Sequence, residues 1–153
     1  MYPDPMLYKR KLRPSDLEQI KHLKLRKADQ EEATASSGLD PISTLLLSIE
    51  LSTWTEVILN QHDEIIVVFG LEAEQGVPWL MATDELVKNQ YTLIKMAREV
   101  VAEMLEECPL LWNYVDGRNT KHIEWLKWMG FKFPGVTAML NGVKFHQFMK
   151  ERT

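Results

Sequence analysis

The sequence predicts an α/β protein in which helices pack on one mixed sheet, an α+β arrangement around a single core. Stretches rich in β-branched residues alternate with stretches whose apolar residues recur at helical spacing. A chain of 153 residues that is 45% apolar and 26% charged is long enough to bury one substantial core. We therefore expect one domain over residues 1–153, with the element order β-α-α-β-β-β-α-β-α-β-β.

Composition and charge argue against several classes of function. The net charge of -4 provides no basic surface of the kind that binds nucleic acid. Cys108 is the single cysteine, which excludes an internal disulfide and is typical of a reducing compartment. No stretch has the length and apolar character of a membrane span, and residues 1–13 lack a signal-peptide pattern. The histidines and the cysteine show no metal-ligand spacing, so we expect no metal site.

The first third of the chain predicts one strand and two helices. Residues 7–13 have strand character, and Ser15 with Glu18 forms a capping box at the start of a helix. The stretch ADQEEATASSG then loses the apolar stripe and ends in Ser-Ser-Gly, which predicts that this helix frays into a loop. Asp40 as N-cap, followed by Pro41, predicts the start of a second helix.

The middle of the chain predicts three strands and the longest helix. WTEVILN and EIIVVFGLE are β-branched stretches separated by QHD, a pattern typical of an antiparallel hairpin. VPWLMAT, residues 77–83, is a third apolar stretch of strand length. Residues 92–108 place their apolar side chains on one face and their charges on the other, which predicts a helix.

The last third predicts a strand, an aromatic helix and a hairpin. LLWNYV, residues 110–115, predicts a buried strand. Asn119 or Thr120 is then expected to cap a helix that ends at Gly130. Asn141-Gly142 between two apolar stretches is a strong hairpin signal.

Two tryptophans of the aromatic helix have different expected environments. Trp125 lies on the apolar stripe and is expected in the core, whereas Trp128 lies toward the opposite side, between charged residues. The Trp128 indole either contacts a partner protein or packs on the C-terminal hairpin, and the sequence does not choose between these two.

The element order resembles that of the GCN5-related N-acetyltransferase (GNAT) family. That family carries a strand, an Asn, a helix and then Gly-Phe, and Asn119, Gly130 and Phe131 have the family's spacing here. LYKRKLRPSDLEQI is likewise similar to the family's first strand and the start of its first helix. The resemblance implies a GNAT-like fold, in which the fourth and fifth strands splay apart and the pantetheine arm of acetyl-CoA enters the gap.

A narrower resemblance concerns the segment from Leu111 to Gly130. LWNYV followed by N-T-x-H-I-x-x-L-K-x-x-G resembles the internal virion protein A group of short-tailed, T7-like phages. That group has an acetyltransferase-like fold and is associated with building the internal core of the phage particle. The resemblance implies other phage structural or assembly proteins as partners. It also implies a location in the cytoplasm of the bacterial host or in the virion.

The positions that serve acetyl-CoA in the GNAT family are altered in this chain. The family binds the pyrophosphate on backbone N–H groups of a glycine-rich turn at a helix N-terminus. Here no glycine occurs between Gly76 and Gly117, and Asp84 and Glu85 place negative charge where the phosphates would approach. Active members of the family often have a Tyr seven residues after the Asn of the motif. In this chain that position is Leu126, whose side chain cannot donate a proton.

The resemblance still assigns candidate residues in case the site works. Tyr91, Tyr114 and His122 are the candidates for a substitute acid or base, although we expect His122 to be a core or rim histidine. The candidates for cofactor contact are Met81, Ala82, Thr83, Asn119 and His122.

Three functions from different classes follow. We expect a phage morphogenesis or internal virion-type protein that acts through protein contacts and needs no cofactor. One alternative is a divergent N-acetyltransferase that uses acetyl-CoA, and another is a non-catalytic protein that binds acyl-CoA or a small molecule. The missing glycines and Leu126 favour the first of these.

Overall fold

The computed structural model describes residues 6–153, whose seven strands form two antiparallel sheets. The first sheet has the strand order β1 (Tyr8–Lys11), β2 (Trp54–Leu59), β3 (Ile65–Glu72) and β4 (Val77–Ala82). The second consists of β5 (Leu110–Asp116), β6 (Thr137–Leu140) and β7 (Val143–Glu151), with β7 in the middle. These ranges confirm each strand that the sequence predicts.

Six helices connect these strands within residues 6–153. Three of them lie between β1 and β2, namely α1 (Asp16–Lys21), α2 (Lys27–Ser37) and α3 (Pro41–Leu51). The other three are α4 (Glu85–Lys88), α5 (Gln90–Glu107) and α6 (Thr120–Trp128). The predicted order is therefore right except that it lacks α2 and the short α4. None of the described helices combines the length and the apolar character needed to cross a membrane.

The prediction of one mixed sheet is wrong, because β4 and β5 are in contact only where they begin. There the backbone N–H of Trp112 donates to the Gly76 carbonyl at 3.0 Å, and the Asn113 side-chain amide donates to the Pro78 carbonyl at 2.8 Å. Farther along, the two strands belong to different sheets. At the far ends of the two strands, side chains of α2 bond Ala82 of β4 and Asp116 of β5, so α2 spans the open end of the gap between them.

The predicted capping box is also wrong. Ser15 has the helical dihedrals φ -66° and ψ -19°, and its side chain makes no capping hydrogen bond. A capping side chain needs an extended N-cap residue to fold back over the first turn. The Asp16 carboxylate instead accepts from the Arg13 N–H at 2.7 Å and pairs with Arg10 at 2.7 Å.

Helix α2 occupies the stretch that the sequence predicts to fray into a loop. It ends at Gly38, whose φ of +77° is left-handed and whose N–H donates to the Thr34 carbonyl at 2.8 Å. Its buried side chains are Asp29, Ala33 and Ala35. The helix therefore has almost no apolar stripe, and contacts with other elements stabilise it.

Other local predictions are confirmed. The Asp40 carboxylate accepts from the Ser43 N–H at 3.0 Å at the start of α3, and Asn119 caps α6. Asn141 and Gly142 both have positive φ, +48° and +79°, as a tight two-residue hairpin turn requires. The helix predicted over residues 92–108 is α5, which begins two residues earlier.

The first sheet is covered on both faces, so the side chains of β3 are distributed over both halves of the core. Val67 and Phe69 pack toward α5 and α6, whereas Ile65 and Val68 pack toward α1 and α3. Since both faces are buried, the sequence of β3 is continuously apolar and does not alternate between apolar and polar residues. The larger half of the core adjoins the gap between the sheets.

Candidate functional site

A cavity of about 230 Å³ lies in the gap between β4 and β5. Apolar side chains of β2, β3, α5, α6 and β7 form most of its wall. Polar side chains of α2 and α6 close the part near the ends of β4 and β5, among them Asp29, Glu32 and His122. The site is therefore apolar along most of its wall, with polar groups concentrated where the two strands end.

Asp29 joins α2 to the end of β4. Its carboxylate is 3% exposed and accepts hydrogen bonds from the Ala82 N–H at 2.9 Å, the Asn119 amide at 3.0 Å and the Arg26 guanidinium at 3.0 Å. The Arg26 backbone N–H donates to the Ala82 carbonyl at 2.8 Å. Both backbone groups of Ala82 are thus engaged by residues at or next to α2.

Glu32 makes the equivalent connection to β5 from the next turn of α2. Its carboxylate accepts from the Asp116 N–H at 3.0 Å and from the Asn119 amide at 3.3 Å. Its other oxygen lies 3.6 Å from the His122 Nδ1, too far for a hydrogen bond but close enough for charge attraction. We call Asp29 and Glu32 together the α2 bridge, because they hold the ends of β4 and β5 through one helix.

Burial and charge act in opposite directions on the groups of the α2 bridge. Burial raises the pKa of Asp29, and the charges of His122 and Arg26 with the Asn119 hydrogen bond only partly oppose it. Burial alone would lower the pKa of His122, but attraction from Glu32 and Asp29 outweighs it, so that pKa is raised. The protonated imidazole is therefore the favoured partner of the carboxylates.

Three buried polar atoms have no hydrogen-bond partner among the described residues, and all three residues line the cavity. They are Gln90 Oε1, His122 Nδ1 and Trp125 Nε1. The Trp125 ring also stacks under the Arg26 guanidinium, 5.1 Å from its centroid. The cavity thus offers unused hydrogen-bonding capacity beside the α2 bridge.

The segment after β4 does not form a phosphate cradle. Its first helix, α4, has one turn and begins after the exposed Asp84, and Glu85 pairs with Lys88 at 3.1 Å. The N–H groups of Leu86 and Val87 donate to carbonyls of the same turn. Two carboxylates and internally bonded amides therefore occupy the place where the family would hold a pyrophosphate.

The structure distributes the candidate catalytic residues over different environments. Tyr91 is 77% exposed on the first turn of α5 and does not line the cavity. Tyr114 is half-buried on β5, lines the cavity and packs edge-on against Trp112 with ring centroids 6.2 Å apart. His122 is buried, as expected of a core histidine, and Leu126 is a buried core residue at the position of the family's general acid.

The candidate cofactor residues do come together. Met81, Ala82 and Thr83 lie at the end of β4, and Asn119 and His122 begin α6 across the gap. What joins them is the α2 bridge, whose residues the sequence interpretation missed. The i, i+3 spacing of Asp29 and Glu32 was an available signal, but it has meaning only once residues 27–37 are known to be helical. No group of three potential metal ligands occurs within residues 6–153.

The two splayed sheets with their covering helices are the GNAT fold, as solved structures of low sequence identity show. The chain is similar to a chimera of the Vibrio cholerae spermidine N-acetyltransferase SpeG and hSSAT, with a TM-score of 0.69, 15% identity and 95% of each chain covered. It is also similar to a GCN5-related N-acetyltransferase from Kribbella flavida, with a TM-score of 0.66, 12% identity and coverage of 95% of this chain and 98% of that one. A comparison with curated proteins gives no match.

A family model identifies the chain more narrowly. Residues 55–135, more than half of the chain, match the model described as "Bacteriophage T7, probable scaffold protein Gp13". The chain belongs to this phage family. The description is that of a scaffold protein, and it does not mention the internal virion protein A group that the segment from Leu111 to Gly130 resembles.

Proposed function

We propose that this chain is a bacteriophage morphogenesis protein that acts through protein contacts and has the GNAT fold without its chemistry. The family to which it belongs supports the phage role, since the model of that family describes a scaffold protein. In the narrower form of the proposal, the chain is an internal virion protein of the A group. Its partners are then other structural or assembly proteins of the phage, met in the host cytoplasm or within the particle.

The α2 bridge is the observation that supports the loss of acetyl-CoA binding. An extended arm with amide groups needs free donors and acceptors along the strand edges of the gap. Both backbone groups of Ala82 and the N–H of Asp116 are already bonded within the chain. Displacing Asp29 would leave the Arg26 charge without its partner, and breaking a buried pair in this way costs about 3–5 kcal/mol.

Electrostatics and proton supply support the same proposal. The carboxylates of Asp84 and Glu85 stand where the cofactor's phosphates would approach, and like charges at short range repel. Leu126, at the position of the usual acid, cannot protonate a leaving thiolate. Of the candidate substitutes, Tyr114 and His122 line the cavity, and Tyr91 does not.

A second candidate function is non-catalytic binding of a small molecule in the cavity. The three unpartnered atoms of Gln90, His122 and Trp125 favour it, because a ligand with matching polar groups would satisfy them. Such a ligand would use the apolar wall and the polar atoms without needing a phosphate cradle.

Complementation with particle analysis tests the proposal. A phage that lacks this gene would be grown on host cells that supply the chain from a plasmid, and infectious and total particles would be counted. The parent chain should restore both counts, and so should Tyr114→Phe, which removes the phenolic proton but keeps the ring. Mass spectrometry of purified virions would then separate an internal virion protein, which remains in the particle, from a scaffold that leaves it.

Two outcomes would contradict the proposal. Particle formation that is normal without the chain would exclude a morphogenesis role. Loss of titre in Tyr114→Phe, with a purified variant as stable as the parent, would show that a proton from this residue is needed and would favour the active acetyltransferase.

A further inference from the structure

Strand β6 (Thr137–Leu140) is the outer strand of the second sheet, and its far side has no partner strand within residues 6–153. The direction of its free backbone groups follows from the ladder. The Lys144 carbonyl accepts from the Gly117 N–H at 3.0 Å, so Lys144 directs its backbone groups toward β5. Met139 pairs with Lys144, and its N–H and carbonyl therefore point away from β7.

Thr137 presents its backbone in the same direction as Met139, two residues away. The backbone groups of the alternate residues, Val136, Ala138 and Leu140, point toward β7. The Val136 carbonyl, for example, accepts from the Gln147 N–H of β7 at 2.9 Å. The outer edge of β6 thus has two donors and two acceptors that the described chain does not use.

Proteins often protect such an edge with charged side chains, and β6 carries none. Residues 134–142, PGVTAMLNG, contain no charged side chain. Met139 is 65% exposed, and Val136 is exposed as well. An uncharged, apolar edge with free backbone groups is a template for pairing with another strand.

The other sheet edges of the chain differ from β6 in this respect. The outer strand β1 carries Lys9, Arg10 and Lys11 in succession, the kind of charge that opposes pairing with an identical strand. The edges of β4 and β5 face each other, and the α2 bridge engages their ends. Within the described chain, the edge of β6 is therefore the one suited to a neutral partner strand.

We propose that two copies of the chain associate by antiparallel pairing of their β6 strands, which creates a continuous six-stranded sheet. A twofold axis at Ala138 places Thr137 of one copy opposite Met139 of the other. Each such pair can exchange two hydrogen bonds, so the free groups of one edge match those of a second copy. The inference concerns this edge alone and does not depend on the function proposed for the gap.

Charge does not oppose this arrangement. Each Lys144 lies on β7, three strand spacings from the β7 of the other copy. Three spacings of about 4.8 Å make roughly 14 Å, which exceeds the screening length of about 8 Å at physiological salt. The small contact of four hydrogen bonds and a narrow apolar strip predicts a dimer that dissociates on dilution.

Sedimentation velocity of the full chain over a wide concentration range is the first test. We expect the mass to rise from 17.8 kDa toward twice that value with concentration. Met139→Lys should remain a monomer with an unchanged thermal midpoint, because it charges an exposed side chain. Thr137→Lys is a second variant with the same expected effect. Leu51→Lys, a matched change at a 66% exposed residue of α3, should still dimerise.

Cysteine cross-linking tests the register. Ala138→Cys places two thiols directly opposite each other, with Cβ atoms roughly 5 Å apart, and should form an intermolecular disulfide under mild oxidation. Leu140→Cys places its two thiols roughly 13 Å apart along the strands and should not. Cys108 is buried and gives little background.

Several results would overturn the inference. A parent chain that stays monomeric at the highest concentration would do so, as would a Met139→Lys variant that still dimerises. Loss of the dimer in Leu51→Lys would move the interface to α3. Growth beyond the dimer would show head-to-tail pairing, and cross-linking of Leu140→Cys in place of Ala138→Cys would exclude the proposed register.

Discussion

Replacing Asp29 with alanine removes the side chain that joins α2 to β4, and the structure sets the size of the expected effect. The carboxylate is almost fully buried and accepts three hydrogen bonds, from Ala82, Asn119 and Arg26. All three donors belong to buried residues. Asp29→Ala therefore leaves an amide, a side-chain amide and a guanidinium without their acceptor.

The size of the expected loss of stability depends mainly on the charge of Arg26. Hydrogen bonds that involve a charged group contribute about 1.5–3 kcal/mol each, but they are not additive within one network. Breaking a buried pair by removing one partner typically costs about 3–5 kcal/mol. Burial raises the pKa of Asp29, so part of its interaction energy offsets its own desolvation, and we expect the lower half of that range.

Urea and thermal unfolding of Asp29→Ala would measure this loss. A loss of about 3–4 kcal/mol corresponds to a fall of roughly 6–16 °C in the thermal midpoint for a chain of this size. Asp84→Ala is the matched control, since Asp84 is exposed and makes no capping hydrogen bond, and it should change stability by less than about 0.5 kcal/mol. A loss below about 1 kcal/mol in Asp29→Ala would refute the view that the α2 bridge holds the strands together.

Three further predictions concern α6. Trp125→Ala should lower the free energy of unfolding by about 3–5 kcal/mol in urea, whereas Trp128→Ala, at a 37% exposed residue, should lower it by less than about 1 kcal/mol. The pKa of His122 is raised, so its contribution is fully present below about pH 6.5 and is lost as pH rises through the folded value. The thermal midpoint should therefore decrease as pH rises above about 6.5, and His122→Gln should flatten this slope; an unchanged slope would contradict the assignment. Gly130→Ala should cost about 1 kcal/mol, because φ is +92° there and a methyl group would displace the Lys150 ammonium; equal stability in urea would contradict this.

Elements that are decided by their own residues could be predicted from the sequence. Asn141-Gly142 takes the two positive φ angles of its turn, and Asp40 and Asn119 bond N–H groups three residues ahead of them. The amphipathic pattern of α5 likewise locates that helix within two residues at its start. In these cases the information needed lies within a few positions of the element.

The candidate site could be predicted only in part, because its central contacts join distant segments. Asn119 and His122 were recognised through a family spacing. Asp29 bonds Ala82 across 53 positions and Asn119 across 90, and no local pattern in the sequence signals either contact. Helix α2 depends on those contacts for its stability, so its missing apolar stripe and its Ser-Ser-Gly end indicated a loop instead. The same contacts engage the ends of β4 and β5 where the two strands lie in different sheets.

The central claim is that α2 engages the strand ends of the gap where the cofactor would bind. Titration of the purified chain with acetyl-CoA in a calorimeter tests this claim most directly. We expect weak or no binding at acetyl-CoA concentrations up to the millimolar range. A saturable signal with a Kd in the low micromolar range, a binding free energy of about -7 to -8 kcal/mol, would contradict the claim. It would show that the α2 bridge opens to admit the cofactor.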